Sequence, residues 1–222
     1  MTTVMLVHGA WHQPSSWARL EAELHALGHD THTPRLPSAG EHPTAGMHDD
    51  AAVLAAELAS IAGPVALLGH SYGGIPITEA AAGASNVDRL IYLAAYMPDT
   101  GQSMYTLHGL PDPEETGGLF PLGGEPRVSL YGDLPDGEAE EAVSKLVNQT
   151  VRSFAEKVDV AAWRSIPSAY IITEQDQAIP VALQEQMAAQ AAEIHRLPGG
   201  HSPFLSQPRR LAALIDEIVR SA

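Results

Sequence analysis

Short apolar runs alternate along the chain with longer stretches in which apolar residues recur every three or four positions. The runs are typical of buried strands, and the longer stretches are typical of amphipathic helices. Six strands are predicted, at residues 3–7, 29–33, 65–68, 89–95, 170–173 and 194–197. Helices are predicted between and after them, at residues 16–27, 47–61, 75–82 and 203–219. This alternation predicts an α/β fold with a mostly parallel sheet and helices on both faces.

The alternation stops over residues 98–167. The first half of this segment, as in Leu110–Gly118, is rich in glycine, proline and acidic residues. The second half carries amphipathic helical patterns such as Glu138–Val151. We therefore predict a core formed by residues 1–97 and 168–222, with residues 98–167 as an inserted, mainly helical cap.

Composition excludes several classes of protein. With 222 residues, 45% of them hydrophobic, the chain can form one sizeable core plus an insertion. Cysteine is absent, which excludes disulfides, thiolate metal sites and a cysteine nucleophile. The net charge of −15 disfavours nucleic acid and anionic membranes as partners.

No apolar run approaches the roughly 18 residues of a membrane span, and the first residues lack a secretory signal, so we expect a cytoplasmic protein. The oligomeric state stays open between a monomer and a homodimer.

The segment Gly69–Gly74 carries the most informative motif, because it lies between a predicted strand and a predicted helix. It reads Gly-His-Ser-Tyr-Gly-Gly, and G-x-S-x-G in this position is typical of a sharp turn that exposes a nucleophilic serine. We therefore predict that Ser71 is a nucleophile and that His70 packs beneath the turn. The alternative is a glycine-rich turn with an incidental serine.

Two loops late in the chain carry a candidate acid and a candidate base for Ser71. A serine hydroxyl is a poor nucleophile at neutral pH, so it needs a base and a third group that fixes the base. Asp176 lies at the apex of the loop after the fifth strand, and Glu174 competes with it because it also lies past the strand end. His201 lies on a glycine-flanked loop before the final helix, whereas His195 lies within a strand and is predicted to be structural.

Two backbone N–H groups are predicted to form an oxyanion hole, which stabilises the negative charge that attack on a carbonyl creates. One belongs to Tyr72, the residue after the nucleophile, and the other should come from the first strand-to-helix loop. In that loop Gly9 lets the backbone turn towards Ser71, so Ala10 is the candidate second donor.

Two pairs of histidines are candidate metal ligands: His29 with His32, and His8 with His12. Their surroundings offer no fixed third and fourth ligand, which a metal site in a protein requires. We therefore predict that the protein has no metal site.

Motifs spread over the whole predicted core resemble those of the α/β-hydrolase superfamily. They are Leu6–His12 with Trp17, Gly69–Gly74, Thr173–Pro180 and His201–Pro208. Within the superfamily they are similar to the small branch that holds plant methylesterases, hydroxynitrile lyases and bacterial EstC-like esterases. The resemblance implies an α/β-hydrolase fold, and the count of six predicted strands makes it a trimmed version, without the antiparallel hairpin that opens larger members. It places catalytic roles on Ser71, Asp176, His201, Ala10 and Tyr72.

Together these residues predict a serine hydrolase that cleaves carboxylic esters of small, largely apolar molecules through an acyl-enzyme, without a cofactor. The lyases of the branch carry a lysine a few positions after the catalytic histidine, and residues 202–210 contain none. That difference argues against a hydroxynitrile lyase. The alternatives are a non-hydrolytic enzyme of the same fold, such as a lyase, cyclase or acyltransferase of secondary metabolism, and a ligand-binding receptor with slow turnover.

Five large side chains are candidates for contacts with a substrate. They are Trp11, Met97, Phe120, Tyr131 and Trp163. Trp11 follows the predicted oxyanion-hole donor, and the other four lie in or beside the cap. The competing interpretation is that these side chains pack together as a small hydrophobic core of the cap and do not contact a substrate.

Overall fold

The computed structural model describes residues 2–221, and its centre is a six-stranded parallel sheet. The strands are β1 (Thr3–Val7), β2 (Asp30–His32), β3 (Ala39–Gly40), β4 (Val65–His70), β5 (Val87–Leu93), β6 (Leu119–Phe120), β7 (Asn148–Thr150), β8 (Ser168–Thr173) and β9 (Glu193–Leu197). Six of them form the main sheet in the order β2-β1-β4-β5-β8-β9, with every neighbouring pair parallel. The predicted six strands and their parallel arrangement are confirmed.

Ten helices connect or follow the strands within residues 2–221. They are α1 (Ala18–Ala26), α2 (Met47–Ser60), α3 (Gly74–Ala80), α4 (Met104–Leu107), α5 (Pro126–Ser129), α6 (Asp136–Ser144), α7 (Val151–Ala155), α8 (Val181–Ala188), α9 (Pro203–Ser206) and α10 (Pro208–Arg220). None of these helices is long and apolar enough to cross a membrane.

The two faces of the main sheet bury different side chains, as the alternation of residues along β1 illustrates. Successive side chains of a strand point to opposite faces of the sheet. Val4 and Leu6 pack on the face that α1 and α10 cover. Met5 and Val7 pack on the face that α2, α3 and α8 cover. All four side chains are fully buried, so the sheet has a hydrophobic core on each side.

Residues 98–167 contain the four helices α4–α7 and also two short strands that the sequence pattern did not predict. Strand β7 pairs antiparallel with β6 and with β3, which lies in the loop between β2 and α2. This small sheet joins residues 98–167, the predicted cap, to the loop between β2 and α2. The helix predicted over Glu138–Val151 is wrong beyond Ser144, because strand pairing with β3 and β6 determines the conformation of residues 148–150.

The predicted final helix is divided into α9 and α10 at Gln207, whose φ of −139° and ψ of 47° are not helical. Pro208 follows directly, and the ring of a proline disfavours helical dihedral angles at the residue before it. The break separates the short α9, which follows the His201 loop, from the long α10, which packs against α1.

Candidate active site

Ser71 lies on a sharp turn directly after the central strand β4, with a φ of 53°. Positive φ is uncommon for a residue with a side chain and costs about 1–3 kcal/mol, so neighbouring contacts must hold it. A Cβ on Gly69 would lie 2.6 Å from the carbonyl oxygen of Gly73, and a Cβ on Gly73 would lie 2.7 Å from that of Val7. Both glycines of the motif are therefore required by close backbone contacts around the half-buried Ser71.

Four strand-to-helix loops meet at one edge of the sheet. The carboxyl ends of parallel strands share an edge, and this is where sites form in such folds. Gly9 follows β1, Ser71 follows β4, Asp176 follows β8 and His201 follows β9. Residues that are far apart in the sequence are thereby brought into one site.

The candidate acid and the candidate base are in direct contact. Nδ1 of His201 lies 2.8 Å from Oδ2 of Asp176, and both side chains are almost completely buried. With Nδ1 engaged, Nε2 is the ring nitrogen of His201 that can exchange a proton with another group. The competing carboxylate, Glu174, is exposed and lies 3.8 Å from Arg196. Of the two acidic residues that the sequence left open, the structure brings Asp176 to the histidine.

Asp176 is fixed by further donors. Its Oδ2 also accepts from Thr173 and from Nε2 of Gln184, and its Oδ1 accepts from the backbone N–H groups of Ala178 and Ile179. Burial alone would raise the pKa of Asp176. Attraction to His201, the hydrogen bond with His201 and the two backbone donors outweigh burial, so the pKa lies below its usual value. Asp176 therefore stays ionised at neutral pH.

The loop that carries His201 is held from two sides. Nε2 of His70 donates to the backbone carbonyl of His201 at 2.9 Å, and the two rings lie 4.6 Å apart. His70 is fully buried beneath the turn, and burial together with the charge of His201 lowers its pKa well below the usual value. From the cap, Oδ2 of Asp133 accepts from the backbone N–H of Gly200 and from the hydroxyl of Ser206, both at 2.8 Å.

The loop after β1 approaches Ser71 closely at Gly9. A Cβ on Gly9 would lie 2.9 Å from the Cβ of Ser71 and 2.9 Å from Nδ1 of His70. Only glycine allows this approach, which places Ala10, the candidate donor, directly after the contact. The close approach is what an oxyanion hole shared between Ala10 and Tyr72 requires.

Two neutral histidines stabilise this loop by hydrogen bonds to its own backbone carbonyls. Nδ1 of His8 donates to the carbonyl of Gly9, and Nδ1 of His12 donates to the carbonyl of Ala10. Burial lowers the pKa of His8 to about 4 and that of His12 to about 3, so both rings are neutral at pH 7. Their Nε2 atoms then accept, and the donor to His12 is the hydroxyl of Tyr131 at 2.9 Å.

The five candidate substrate contacts lie in different environments. Met97 and Tyr131 are buried, at 0% and 1% exposure, whereas Trp11, Phe120 and Trp163 are half-buried. Trp11 and Phe120 form an aromatic cluster with Phe154, with ring centroids 4.6–6.1 Å apart. Indole Nε1 of Trp163 donates to the carbonyl of Pro98 at the entrance of the cap. Contact of these residues with a substrate stays a prediction.

The histidine pairs that resembled metal ligands make other contacts. His29 and His32 bond to Asp216 and Glu57, and His8 and His12 bond to backbone carbonyls. In the part of the chain that the structure describes, one group of three histidine or acidic side chains lies close enough to share a cation. It consists of His48, Glu79 and Asp159, none of which belongs to the site at the sheet edge.

Three polar residues of the site were not found from the sequence. Gln184 bonds to Asp176, Asp133 bonds to the His201 loop, and Gln149 bonds to the backbone of Trp11. Each is a single polar residue in a helix, turn or short strand, and no local motif marks it. Their roles depend on contacts between distant parts of the chain.

Comparison with known proteins identifies the family. A model described as the alpha/beta hydrolase family matches residues 4–214. A curated relative, alpha/beta hydrolase nvfD of Aspergillus novofumigatus, is 32% identical, with 96% of this chain and 94% of the relative covered. The chain belongs to the α/β-hydrolase family.

Two further similarities indicate which branch of the family the chain resembles. Methylesterase 7 of Arabidopsis thaliana is 28% identical, with 96% of this chain and 95% of the relative covered. A crystal structure of the pyrethroid hydrolase PytH superposes with a TM-score of 0.81 at 26% identity, covering 98% of both chains. The resemblance that the sequence motifs indicated, to the branch that holds the plant methylesterases, is confirmed.

Proposed function

We propose that the protein is a serine hydrolase that cleaves carboxylic esters of small, largely apolar molecules through an acyl-enzyme. The observation that carries the proposal is the buried contact between Asp176 and His201, at the sheet edge where Ser71 lies on a strained turn. An ordered histidine base and a serine at the same sheet edge are the groups that nucleophilic acyl transfer needs.

In the proposed reaction His201 takes the proton of Ser71 while Oγ attacks the ester carbonyl. The carbonyl oxygen becomes an oxyanion, which the backbone N–H groups of Ala10 and Tyr72 stabilise. The tetrahedral intermediate collapses, and the alcohol leaves with the proton from His201. Water then attacks the acyl-enzyme with His201 as base, and the carboxylic acid and free Ser71 are released. Asp176 holds the imidazole in the useful tautomer, and no metal or cofactor takes part.

The proposed substrate class is supported by relatives and by side chains near the site. The relatives compared above are named for hydrolysis of pyrethroids and of methyl esters. Trp11, Phe120 and Phe154 form an aromatic cluster beside the candidate oxyanion loop, and half-buried aromatic side chains favour apolar ligands. We propose that residues 98–167 act as a cap that selects among such esters.

The decisive experiment compares the wild-type protein with Ser71→Ala on p-nitrophenyl acetate and butyrate. Loss of the nucleophile of a triad lowers kcat by about 10⁶-fold, so turnover should disappear while the thermal unfolding profile is unchanged. Ser85→Ala is the matched control, because Ser85 is exposed and lies outside the site. A fluorophosphonate probe should label Ser71 alone.

The same experiment separates the alternatives. A wild-type protein that binds the probe at Ser71 but releases no p-nitrophenol would indicate a receptor or a non-hydrolytic enzyme. More than a few per cent of wild-type activity in the Ser71→Ala variant would contradict the assignment of the nucleophile. A cytoplasmic location, and assembly as a monomer or homodimer, are further proposals that cell fractionation and sedimentation would test.

A further inference from the structure

Trp11, which directly follows the candidate oxyanion donor Ala10, is held in an unusual backbone conformation by the cap. Its φ is 61°, in the left-handed region that a bulky residue rarely adopts. The backbone N–H of Trp11 donates to Oε1 of Gln149, and its carbonyl accepts from the N–H of Val147 at 2.8 Å. Val147 directly precedes β7 and Gln149 lies within it, so both partners belong to residues 98–167. The strain is therefore sustained by contacts that only the inserted segment supplies.

Gln149 is fully buried, and all of its hydrogen-bonding groups are used. Oε1 accepts from Trp11, and the two hydrogens on Nε2 go to the hydroxyls of Ser38 at 2.8 Å and Ser153 at 2.7 Å. An amide with both hydrogens committed has none left to donate to a substrate. Any effect of Gln149 on the reaction is therefore exerted through the groups that it holds.

The second oxyanion residue is connected to the same amide. The hydroxyl of Ser38 accepts from Gln149 and donates to Oδ2 of the buried Asp50. The phenolic hydroxyl of Tyr72 donates to the same carboxylate oxygen at 2.6 Å. Since Asp50 also accepts from the backbone N–H of Ser38, the carboxylate is fixed from three directions. One continuous buried network thus runs from Trp11 through Gln149, Ser38 and Asp50 to Tyr72.

We propose that Gln149 is a positioning residue for the oxyanion hole, fixing the N–H groups of Ala10 and Tyr72 relative to each other. Stabilisation of an oxyanion depends on donors that are already in place, because donors that must reorganise during the reaction lose most of their effect. The two donors come from separate loops, and the network is a continuous polar connection between those loops. The inference rests on the proposed function and extends it by giving the cap a role in the chemical step.

The test replaces Gln149 by methionine, which has a similar length and cannot form these hydrogen bonds. With p-nitrophenyl acetate, Gln149→Met should lower kcat by about 10-fold to 100-fold and change KM by less than about 2-fold, since the oxyanion forms only after binding. Active-site titration with the fluorophosphonate gives the fraction of folded, reactive enzyme, and kcat is expressed per titrated site. Loss of folded protein alone would lower the titrated fraction and leave this corrected kcat unchanged.

A second measurement reports on the oxyanion hole itself. A trifluoromethyl ketone forms a tetrahedral adduct with the serine and places a negative oxygen in the hole, whereas an alcohol product binds without one. Gln149→Met should weaken binding of the ketone in proportion to the loss in kcat/KM and leave binding of the alcohol unchanged. Ser38→Ala keeps the hydrogen bond between Gln149 and Trp11 but removes the connection from Gln149 to Asp50. It should weaken binding of the ketone as well, by a smaller factor than Gln149→Met.

Two matched controls isolate the network. Asn148 is the exposed neighbour of Gln149 in β7 and donates to the carbonyl of Glu41, so Asn148→Ala perturbs the same strand outside the network. Ser144→Ala removes an exposed serine hydroxyl of the same segment, which donates to the carbonyl of Glu141 and lies outside the network. Both controls should keep kcat within about 2-fold of wild type. Equal losses in Asn148→Ala and Gln149→Met, or a loss confined to KM, would overturn the inference. A wild-type protein without ester turnover would instead overturn the proposed function.

Discussion

Nδ1 of His201 and Oδ2 of Asp176 lie 2.8 Å apart in a contact from which water is excluded, since the two side chains are 1% and 0% exposed. Asp176 receives its remaining hydrogen bonds from the end of β8, from its own loop and from α8, so none of them comes from residues 98–167. A carboxylate fixed in this way selects the tautomer of His201 that carries its proton on Nδ1. Nε2 is then available to accept the proton of a serine.

Replacing Asp176 by asparagine should lower kcat on p-nitrophenyl acetate by about 10⁴-fold, the size of the loss that this change causes in serine proteases. An amide in place of the carboxylate can stabilise the wrong tautomer of His201 and cannot stabilise the imidazolium. Glu174→Gln is the matched control and should retain nearly full activity, because Glu174 is exposed and contacts Arg196 instead of the histidine. The reverse order of damage in parallel kinetic assays would assign the acid to Glu174.

Much of the fold and of the site could be predicted because the signals are local. The strands β1, β4, β5 and β8 each contain an apolar run, and the turn around Ser71 needs glycines at the fixed positions of a known motif. Asp176 and His201 were found because each lies just after a predicted strand. Glu174 also satisfied that rule, and only the folded structure separates it from Asp176.

The remainder could not be predicted because it depends on contacts between distant residues. Gln149 lies 138 positions from Trp11, and the pattern around it favoured a helix. Two-residue and three-residue strands such as β3 and β7 have no periodicity of their own, so their pairing is decided by the packing of the cap on the core. The hydrogen bond between the hydroxyl of Tyr131 and His12 in the candidate oxyanion loop likewise joins residues 119 positions apart.

Gly9→Ala should reduce kcat by roughly 10-fold or more, because the new Cβ would lie 2.9 Å from both Ser71 and His70 and must push the oxyanion loop away. The free energy of unfolding should also fall, because Ser71 and His70 lie in a tightly packed turn and cannot move away from the added methyl group without strain. Gly83→Ala is the control, as nothing lies within 4 Å of the Cβ that it adds. Kinetics and urea unfolding of both variants would test this. An active Gly9→Ala variant would mean that the loop approaches Ser71 less closely in solution.

Asp50 should make stability depend on pH in a window below neutrality. Burial raises its pKa from 3.8 to about 6, although hydrogen bonds from Ser38 and Tyr72 oppose the shift. The folded state therefore holds the proton more tightly than the unfolded chain does. The stabilisation from this group is complete below about pH 4 and is lost as the pH rises towards 6, by on the order of 3 kcal/mol at 1.36 kcal/mol per pKa unit.

This dependence is measured as a difference between wild type and Asp50→Asn, so that other titrating groups cancel. Urea unfolding of both proteins at several pH values between 4 and 8 gives the two free energies of unfolding. The stability of the wild type relative to the variant should decrease between pH 4 and 6 and then become constant. A constant difference across the whole range would show that Asp50 keeps an ordinary pKa in the folded protein.

The cap should affect activity in two ways that kinetics can separate. Phe120 is half-buried in the aromatic cluster with Trp11, and we predict that it contacts the acyl group. Phe120→Ala should therefore change the ranking of acetate, butyrate and benzoate esters, with changes in kcat/KM equivalent to about 1–3 kcal/mol for each misfitted group. An unchanged ranking would place Phe120 outside the substrate pocket.

Asp133→Ala should instead lower kcat on all three esters by a similar factor, because Asp133 holds the backbone N–H of Gly200, the residue before His201. A shift of the imidazole by about 1 Å can cost up to 100-fold whatever the acyl chain, since every ester uses the same proton transfer. Asp136→Ala is the matched control, as Asp136 is an exposed aspartate of the cap that pairs with Arg127 at the surface. An Asp133→Ala variant that changed only the ranking of esters, with kcat on acetate preserved, would show that the cap shapes the pocket without holding the base.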